Sequence, residues 1–281
     1  MPLIERQLSS SSVPSDLLRS VVDYFRPRQI ILFGSRARGD AGMDSDIDLA
    51  VILGDDAPGE HLSARAARQS RGQFQRACDI VAWRNTDFQQ HASVIGSLPH
   101  TVALEGRVVY GEPLDRRAAA NMTAADADPW AQWAEAQRWL RVAGDDLRTV
   151  DVCLDADPPV TATAAYHCQQ AAEKLLKALL VAAARPTRRT HDLDELAAQA
   201  GEAKPTIAPL ADACRFMTRW NFEFRYPSAS HTVPLPPDPD EIRDARKVLV
   251  QLQAAVSALE PRRSAADDAR TPASGDRPDD P

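Results

Sequence analysis

Three aspartates have the spacing in this sequence that best suits metal chemistry. Asp46 and Asp48 are two residues apart in an alternating run that predicts a β-strand, so both carboxylates project from one face of that strand. Two carboxylates so close repel each other unless a divalent cation lies between them, and Mg²⁺ prefers hard oxygen ligands together with substrate phosphates. Asp79 lies in the next predicted strand and is a candidate third ligand. We therefore predict a Mg²⁺ site, with two ions that activate an attacking oxygen and stabilise a leaving pyrophosphate.

A glycine-serine turn lies a short distance before these aspartates. Gly34 and Ser35 follow the apolar run 29–33 and precede a short predicted helix. A turn of this kind offers backbone N–H groups and a hydroxyl, which together form a cradle for phosphate oxygens. Arg36 and Arg38 add positive charge nearby, although either side chain is equally compatible with a solvated surface position. A polar strand edge with an ordinary turn would explain each feature singly, but the combined string favours a phosphate-binding site.

The elements that must carry these residues are mixed helices and strands in the first half of the chain. The helical spacing of apolar residues over 16–25 ends before Pro27, and further helices are predicted at 61–76 and 86–105. Four strands are predicted from apolar or alternating runs, at 29–33, 46–53, 78–83 and 107–110. This order predicts a small domain that contains both helices and strands.

The glycine-serine turn and the first two aspartates form one continuous motif. It runs Gly34-Ser35-x-Ala37-Arg38-Gly39, then five residues, then Ser45-Asp46-Ile47-Asp48-Leu49. This motif resembles that of the minimal nucleotidyltransferase family of the DNA polymerase beta superfamily, and the resemblance covers residues 15–111. It implies a small α/β (or α+β) domain with a mixed sheet. It also implies Mg²⁺-dependent transfer of a nucleoside monophosphate, which we expect to be AMP, from a nucleoside triphosphate (NTP) to an acceptor.

The resemblance also implies a role for each residue at a motif position. Nucleotide binding is assigned to four residues of the turn and the following loop: Gly34, Ser35, Arg38 and Ser45. Metal binding and catalysis are assigned to the three carboxylates: Asp46, Asp48 and Asp79. Asp79 matches the third carboxylate of the family, which deprotonates the acceptor hydroxyl, although a lone aspartate entering a strand is also compatible with a simple turn cap. The presence of all three argues against a decayed, non-catalytic copy.

The second half of the chain is different, with long helical patterns in place of strands. Residues 112–128 lack periodicity and are interpreted as a linker. The last stretch, 261–281, has almost no large apolar side chains and is predicted to be disordered. Five helices are predicted between the linker and the tail, at 129–154, 161–184, 191–201, 206–224 and 239–259.

Polar residues at fixed spacings mark three places in this helical half. They are Tyr166-His167-x-x-Gln170-x-x-Glu173-Lys174-x-x-Lys177-Ala178, Thr190-His191-Asp192-Leu193 and Arg225-Tyr226-Pro227. In this order they resemble the HEPN domain (higher eukaryotes and prokaryotes nucleotide-binding), over residues 129–258. The resemblance implies an all-α up-and-down helical bundle, often dimeric, that either assists nucleotide binding or cleaves RNA without a metal ion.

Arg225 and His231 are separated by five residues, a spacing that the ribonuclease branch of HEPN domains uses. In that chemistry the histidine acts on the RNA 2′-hydroxyl and the arginine stabilises the phosphorane. Pro227 and the proline-rich run after His231 predict a loop here, whereas the family's pair lies on helical structure. We therefore favour a structural role, with Arg225 in an ion pair of the bundle and His231 exposed. His167 and His191 are interpreted as packed or capping residues.

The composition excludes several classes of protein. The 33 basic and 40 acidic residues give a net charge of −7, which argues against a general nucleic-acid coat but not against a local basic patch. No apolar run reaches the ~18 residues of a membrane span, and the N-terminal residues lack a secretory-signal pattern. The four cysteines form no Cys-x-x-Cys pair, so neither a zinc site nor a disulfide framework is indicated. We expect a cytoplasmic protein.

Three functions are compatible with these features. We favour Mg²⁺-dependent transfer of a nucleotide to a hydroxyl on a small molecule or protein, with the HEPN domain completing the site or acting as a partner. The second is a HEPN ribonuclease, as in toxin–antitoxin pairs, regulated in cis by the nucleotidyltransferase domain. The third is a non-catalytic nucleotide-binding regulator. The expected partners are an NTP, an unknown hydroxyl acceptor, RNA in the second case, and a second copy of the chain bound through the HEPN domain.

Overall fold

The computed structural model of the chain describes residues 13–42, 45–187, 190–223 and 235–262. Within these residues, the first half contains four strands: β1 (Gln29–Phe33), β2 (Ile47–Leu53), β3 (Cys78–Arg84) and β4 (Arg107–Gly111). They form one sheet in the order β3-β2-β1-β4. β2 runs parallel to β3 and antiparallel to β1, and β1 runs antiparallel to β4. The predicted mixed sheet is thereby confirmed.

Six helices are described in this half: α1 (Ser15–Phe25), α2 (Ser35–Arg38), α3 (Ala64–Ser70), α4 (Asn85–Ala92), α5 (Leu98–Glu105) and α6 (Arg117–Ala120). The continuous helices predicted at 61–76 and 86–105 were wrong in their extent. A 3₁₀ turn at Gly59–Leu62 precedes α3, and the Ser63 side chain caps α3. Gly96, with a φ of 84°, lies between α4 and α5 in a conformation that favours glycine. α6 lies within the segment that was interpreted as a linker.

Helices cover both faces of the sheet. β1 and β2 are buried over their whole length, and successive side chains of a strand point to opposite faces. Leu49 packs with Leu17 of α1 in the core on one face. Ala50 packs with Phe88 of α4 in the core on the other face. Asp48 is two residues from Ala50, so its side chain projects on the α4 side of the sheet.

The second half is all helical in the residues that the structure describes. Its helices are α7 (Pro129–Asp155), α8 (Thr161–Ala182), α9 (Leu193–Ala203), α10 (Ala208–Asp212) and α11 (Pro239–Ser257). α8 is the central element, since it is buried along most of its length and packs against α7, α9 and α11. The predicted combination of a mixed-sheet domain with an all-α bundle is confirmed. Across the described chain, no helix has both the length and the apolar character needed to cross a lipid bilayer.

The single helix predicted over 206–224 was wrong. The structure has 3₁₀ turns at Pro205–Ile207 and Arg215–Asn221, on either side of α10. Pro205 and Pro209 lie in the first turn of their elements, where a proline is tolerated, and the chain leaves the α-helical pattern after Asp212. The predicted tail falls almost entirely outside the described residues, which end at 262.

The two halves are joined by hydrogen bonds to backbone carbonyls. The side-chain amide of Gln132 in α7 donates to the carbonyl oxygens of Ile95 (3.0 Å) and Val181 (2.7 Å). Gln132 is 2% exposed, so both bonds are shielded from water. The Thr187 hydroxyl donates to the Gly96 carbonyl at 3.2 Å, and a Cβ added to Gly96 would lie 2.9 Å from Val181. The turn between α4 and α5 therefore fits closely against the end of α8.

Candidate active site

The three predicted carboxylates lie together at one end of β2 and β3. Asp46 directly precedes β2, and Asp48 is the second residue of that strand. Asp48 pairs with Asp79 in the parallel register of β2 and β3, at the ~4.8 Å separation of neighbouring strands. Asp48 is 8% exposed, whereas Asp46 and Asp79 are exposed. One buried acid beside two exposed ones concentrates negative charge at this edge of the sheet.

The chemistry of these side chains fits Mg²⁺. This ion prefers oxygen ligands, and at nucleotide sites it takes one or two carboxylates together with phosphate oxygens and water. Within the described residues, no three His, Cys, Asp or Glu side chains are already arranged around a metal position. The three aspartates therefore form no ready-made metal site by themselves, and the fit to Mg²⁺ rests on the oxygen chemistry of their carboxylates.

Arg36 fixes the loop before β2. Its guanidinium Nη2 and Nε donate to the Ser45 carbonyl at 2.6 and 3.0 Å, and Nε also reaches the Asp46 carbonyl at 3.1 Å. The Ser45 hydroxyl accepts from the Gly42 N–H at 2.9 Å. Arg36 therefore binds the backbone that presents Asp46, and it is not simply a solvated surface charge.

The glycine-serine turn lies beside the carboxylates, between β1 and α2. Gly34 has a φ of 74° and a ψ of −155°, a conformation that favours glycine. Its carbonyl accepts from the N–H groups of Ala37 and Arg38 at 3.1 and 3.2 Å, which closes the turn. Ser35 and Arg38 both border the cleft that contains the carboxylates.

Glu105, the last residue of α5, binds this turn. Its Oε1 accepts from the Gly34 N–H at 3.2 Å, and its two carboxylate oxygens accept from Arg38 Nη1 at 3.1 and 3.0 Å. Arg38 Nε also donates to Asp40 at 3.1 Å. Hydrogen bonds to Glu105, and then to Asp40, raise the pKa of Arg38. No sequence motif contains Glu105, so sequence reasoning missed it.

Three residues of the helical half border the same cleft. Lys177 comes from α8, and Thr190 and His191 lie just before α9. The cleft has a volume of about 440 Å³. Its lining comes from both halves of the chain: Ser35, Arg38, Ser45, Asp46, Asp48, Asp79, Lys177, Thr190 and His191. The site is therefore shared between the sheet and the bundle.

A buried ion pair holds Lys177 at the cleft. Its Nζ lies 2.7 Å from Glu173 Oε1 and 5.6 Å from the centre of the Trp139 ring. His191 Nδ1 lies 3.0 Å from Glu173 Oε2. Burial favours the neutral form of Glu173, but hydrogen bonds and charge from Lys177 and His191 outweigh it and lower the pKa of Glu173. Glu173 is therefore ionised at neutral pH, and it orients both neighbouring side chains.

Glu173 also connects the cleft to polar groups deeper in the bundle. Gln169 donates to Glu173 at 3.4 Å, and Gln170 donates to Gln169 at 2.7 Å. Lys174 donates to the Gln170 side chain at 3.1 Å and lies 2.7 Å from Asp146 of α7. A continuous series of polar contacts therefore runs from the cleft to α7.

Six of the seven predicted nucleotide- and metal-binding residues border the cleft, and the seventh, Gly34, forms the turn that carries Ser35. The roles assigned to them in binding and catalysis stay predictions. The candidate ribonuclease pair, Arg225 and His231, lies outside the described residues, as does Tyr226.

The histidines and lysine of the HEPN motif are placed differently from one another. His167 is packed as expected, with Nδ1 2.9 Å from Asp146. His191 was expected to have only a structural role, but it borders the cleft as well as Glu173. Lys177 and Thr190 were noted in the same motif without a site role, so that motif was the signal for their position.

Comparison with known families divides the chain in the same way as the structure. The family model described as polymerase beta, nucleotidyltransferase matches residues 17–110. The HEPN domain model matches residues 136–259. Comparison with curated proteins gives no match. The chain is therefore a fusion of a polymerase beta nucleotidyltransferase domain with a HEPN domain.

Proposed function

We propose that this chain is a Mg²⁺-dependent nucleotidyltransferase, which moves a nucleoside monophosphate, AMP by preference, from an NTP to a hydroxyl acceptor on a small molecule or protein. The supporting observation is the shared cleft, where three carboxylates and a glycine-serine turn face Lys177 and His191. Nucleotidyl transfer needs metal ligands, phosphate-binding donors and a base for the acceptor. Each of these has a candidate group in the cleft.

The sheet side of the cleft binds the triphosphate in this proposal. The Ser35 hydroxyl and the backbone at the start of α2 donate to phosphate oxygens, and Arg38 adds a fixed positive charge. Ser45 lies at the loop that Arg36 holds against Asp46. This arrangement places the phosphates beside the carboxylates.

The carboxylates hold the metal and receive the acceptor proton. Asp46, Asp48 and Asp79 would bind Mg²⁺, which when present supplies positive charge opposite the charge that develops on the phosphates. Asp79 takes the proton from the acceptor hydroxyl. The acceptor oxygen forms a bond to the α-phosphorus, the bond from that phosphorus to the α–β bridging oxygen breaks, and pyrophosphate leaves with the electron pair.

The helical side completes the site with Lys177 and His191. The Lys177 side chain is 11% exposed and paired with Glu173, so its orientation is set before a ligand arrives. A side chain that is already ordered loses little further entropy on binding. We assign Lys177 to the anionic groups of the nucleotide, with His191 and Thr190 as neighbouring polar contacts.

The other functions have less support. RNA cleavage depends on Arg225 and His231, which lie outside the described residues. Regulation of a toxin–antitoxin kind, and a dimer formed through the HEPN domain, stay predictions from the resemblance. A non-catalytic regulator would bind a nucleotide in the same cleft, so only turnover separates it from the enzyme.

The decisive experiment measures pyrophosphate release and transfer of label from each α-labelled ribonucleoside triphosphate, in the presence of Mg²⁺. Label in the protein fraction or in a small-molecule fraction identifies the class of acceptor. Asp46→Asn should abolish transfer, whereas Asp23→Asn, an exposed aspartate of α1, should not. Absence of pyrophosphate and label with every NTP and acceptor would contradict the proposal, and NTP binding without turnover would favour the regulator.

A further inference from the structure

Glu105 connects two parts of the phosphate-binding turn. It lies 71 residues after Gly34 in the sequence, yet its carboxylate accepts from both the Gly34 N–H and Arg38 Nη1. The Glu105 side chain is 21% exposed, against 37% for Arg38. Arg38 is among the side chains that border the cleft, and Glu105 is not. Glu105 therefore binds Arg38 from outside the cleft.

This contact restrains the turn and leaves part of the Arg38 guanidinium without a bond to Glu105 or Asp40. An arginine that is free to move loses side-chain entropy when a ligand orders it, and an arginine already fixed avoids that loss. Glu105 and Asp40 take Nη1 and Nε, whereas a guanidinium has five N–H donors. Charge-assisted bonds of this kind are stronger than neutral ones. Glu105 is thus suited to hold Arg38 in a fixed position while donors remain for a phosphate.

We propose that Glu105 is a positioning residue, which fixes Gly34 and Arg38 in the geometry that receives the phosphates of an NTP. The inference rests on the proposed nucleotidyl transfer, and it adds a residue that lies in neither sequence motif. A carboxylate near a phosphate site also repels phosphate, but the charge of Glu105 is paired with Arg38. In the opposite role, Glu105 would occupy the N–H donors of Gly34 and Arg38, and a phosphate would have to displace it. That role predicts tighter phosphate binding when the charge of Glu105 is removed.

The test uses variants that separate charge from fold. Glu105→Gln removes the charge but keeps an oxygen that accepts from Gly34. Glu112→Gln is the matched control, because it makes the same exchange in an exposed glutamate that pairs with Arg28 at 3.4 Å. Arg38→Met removes the side chain on which Glu105 is proposed to act. Wild type, the two single variants E105Q and R38M, and their combination form a double-mutant cycle.

The probe is inorganic tripolyphosphate with Mg²⁺, because it reports phosphate binding without a base or an acceptor. By calorimetry, we expect E105Q to weaken binding about tenfold, the loss of one charge-assisted contact. E112Q should bind as wild type does, and E105Q should cause no further loss in the R38M background. With an NTP as substrate, KM should rise in E105Q while kcat changes less.

The possible outcomes decide between distinct roles. Unchanged or tighter binding by folded E105Q overturns the positioning role, and tighter binding identifies a competing carboxylate. An equal loss with and without Arg38 also overturns it, since Glu105 would then not act through Arg38. If E105Q fails to fold, Glu105→Asp replaces it, because the shorter side chain keeps the charge but cannot reach both partners, and undiminished binding by E105D overturns the role.

The same experiment separates this inference from the proposed function. If wild type binds neither tripolyphosphate nor any NTP, the proposed nucleotide site is wrong, and the proposed role of Glu105 is wrong with it. If wild type binds and E105Q binds equally well, the proposed function stands and only the role of Glu105 is overturned.

Discussion

The two walls of the cleft carry their charges in different ways. On the sheet wall, Asp46, Asp48 and Asp79 bring like charges together, and two of the three are exposed. On the helical wall, Lys177 and Glu173 are paired at 2.7 Å, with side chains only 11% and 8% exposed. Like charges held close together are relieved by a cation, whereas a buried pair is already compensated. The sheet wall is suited to bind a metal cation, and the helical wall to hold the ammonium group of Lys177 in a fixed position.

This difference predicts opposite responses to mutation. Removal of a carboxylate from the sheet wall should abolish function and leave the fold intact, because it also removes repulsion. Removal of one partner from the helical wall should damage the fold, because the other charge stays buried without its closest ion-pair partner.

The largest expected effect is on the sheet wall, in Asp79→Asn, at an exposed position. The exchange keeps the size of the side chain but removes a charge from the proposed metal site, where metal assistance contributes several kcal/mol. We expect pyrophosphate release to fall about 10³-fold, with a melting temperature equal to or above that of wild type. A variant that keeps its activity, or that unfolds at a clearly lower temperature, would contradict the distinction between the walls.

The second effect is on the helical wall, in Lys177→Ala. Glu173 would be left buried without its ammonium partner, and the free energy of unfolding should fall by about 3 kcal/mol. Urea unfolding measures this, and adding Glu173→Gln should restore part of the loss. Lys247→Ala is the control, since Lys247 pairs with Asp244 on the surface and such pairs contribute about 0.5 kcal/mol. Equal losses of unfolding free energy in K177A and K247A would show that burial of the Lys177–Glu173 pair has no effect on its contribution to stability.

The third effect concerns the junction that keeps the walls facing each other. Gln132→Ala removes both bonds to the carbonyls of Ile95 and Val181 and leaves these acceptors buried. We expect a loss of about 2 kcal/mol in the free energy of unfolding and faster proteolysis within 112–128. Gln251→Ala, at an exposed position of α11, should change neither. Stability unchanged in Q132A would mean that other contacts hold the two halves together.

The smallest effect is a pH dependence of the helical wall. The pKa of Glu173 is lowered in the folded protein from an ordinary 4.5, so its ion pairs contribute stability above the unfolded pKa. That contribution is lost as the pH falls through the lower, folded pKa. Urea unfolding from about pH 6 to about pH 3 should show a smaller decline for E173Q than for wild type. Identical pH profiles of the unfolding free energy in E173Q and wild type would show that the ion pairs of ionised Glu173 do not stabilise the fold.

Local features of the site could be predicted from the sequence. The alternation over 46–53 predicted a strand, and the structure has β2 at Ile47–Leu53 with Asp46 directly before it. Asp79 was expected in the next strand, where it lies. Its pairing opposite Asp48 could not be read from the sequence, because the register between two strands depends on contacts across the whole sheet.

Features that depend on distant contacts could not be predicted. The helix expected over 86–105 is interrupted at Gly96, which packs against Val181 of the other half. Glu105 reaches the turn only after the chain has folded back over 71 residues. Lys177 was noted as a polar mark, but its position at the cleft depends on the docking of the bundle against the sheet. For Glu105 the missing information was tertiary, and for Lys177 the motif marked the residue but not its place at the cleft. The break near Gly96 did have local signals, because Ser97 caps α5 and Pro99 lies in its first turn.

The pairing of Asp48 with Asp79 means that the register between β2 and β3 sets the spacing of these two acids. Because side chains alternate along a strand, a slip of one residue between β2 and β3 would turn Asp79 toward the α1 face. The spacing of the two acids on one face of the sheet is therefore set by the strand register, in steps of two residues, and not by side-chain rotation alone. A residue inserted between the exposed Gln75 and Arg76 would leave the spacing of the acids intact, whereas one residue inserted inside β3 would change it. The loop before β3 can therefore vary in length, but the register between β2 and β3 can shift only by two residues if both acids are to stay on the same face of the sheet.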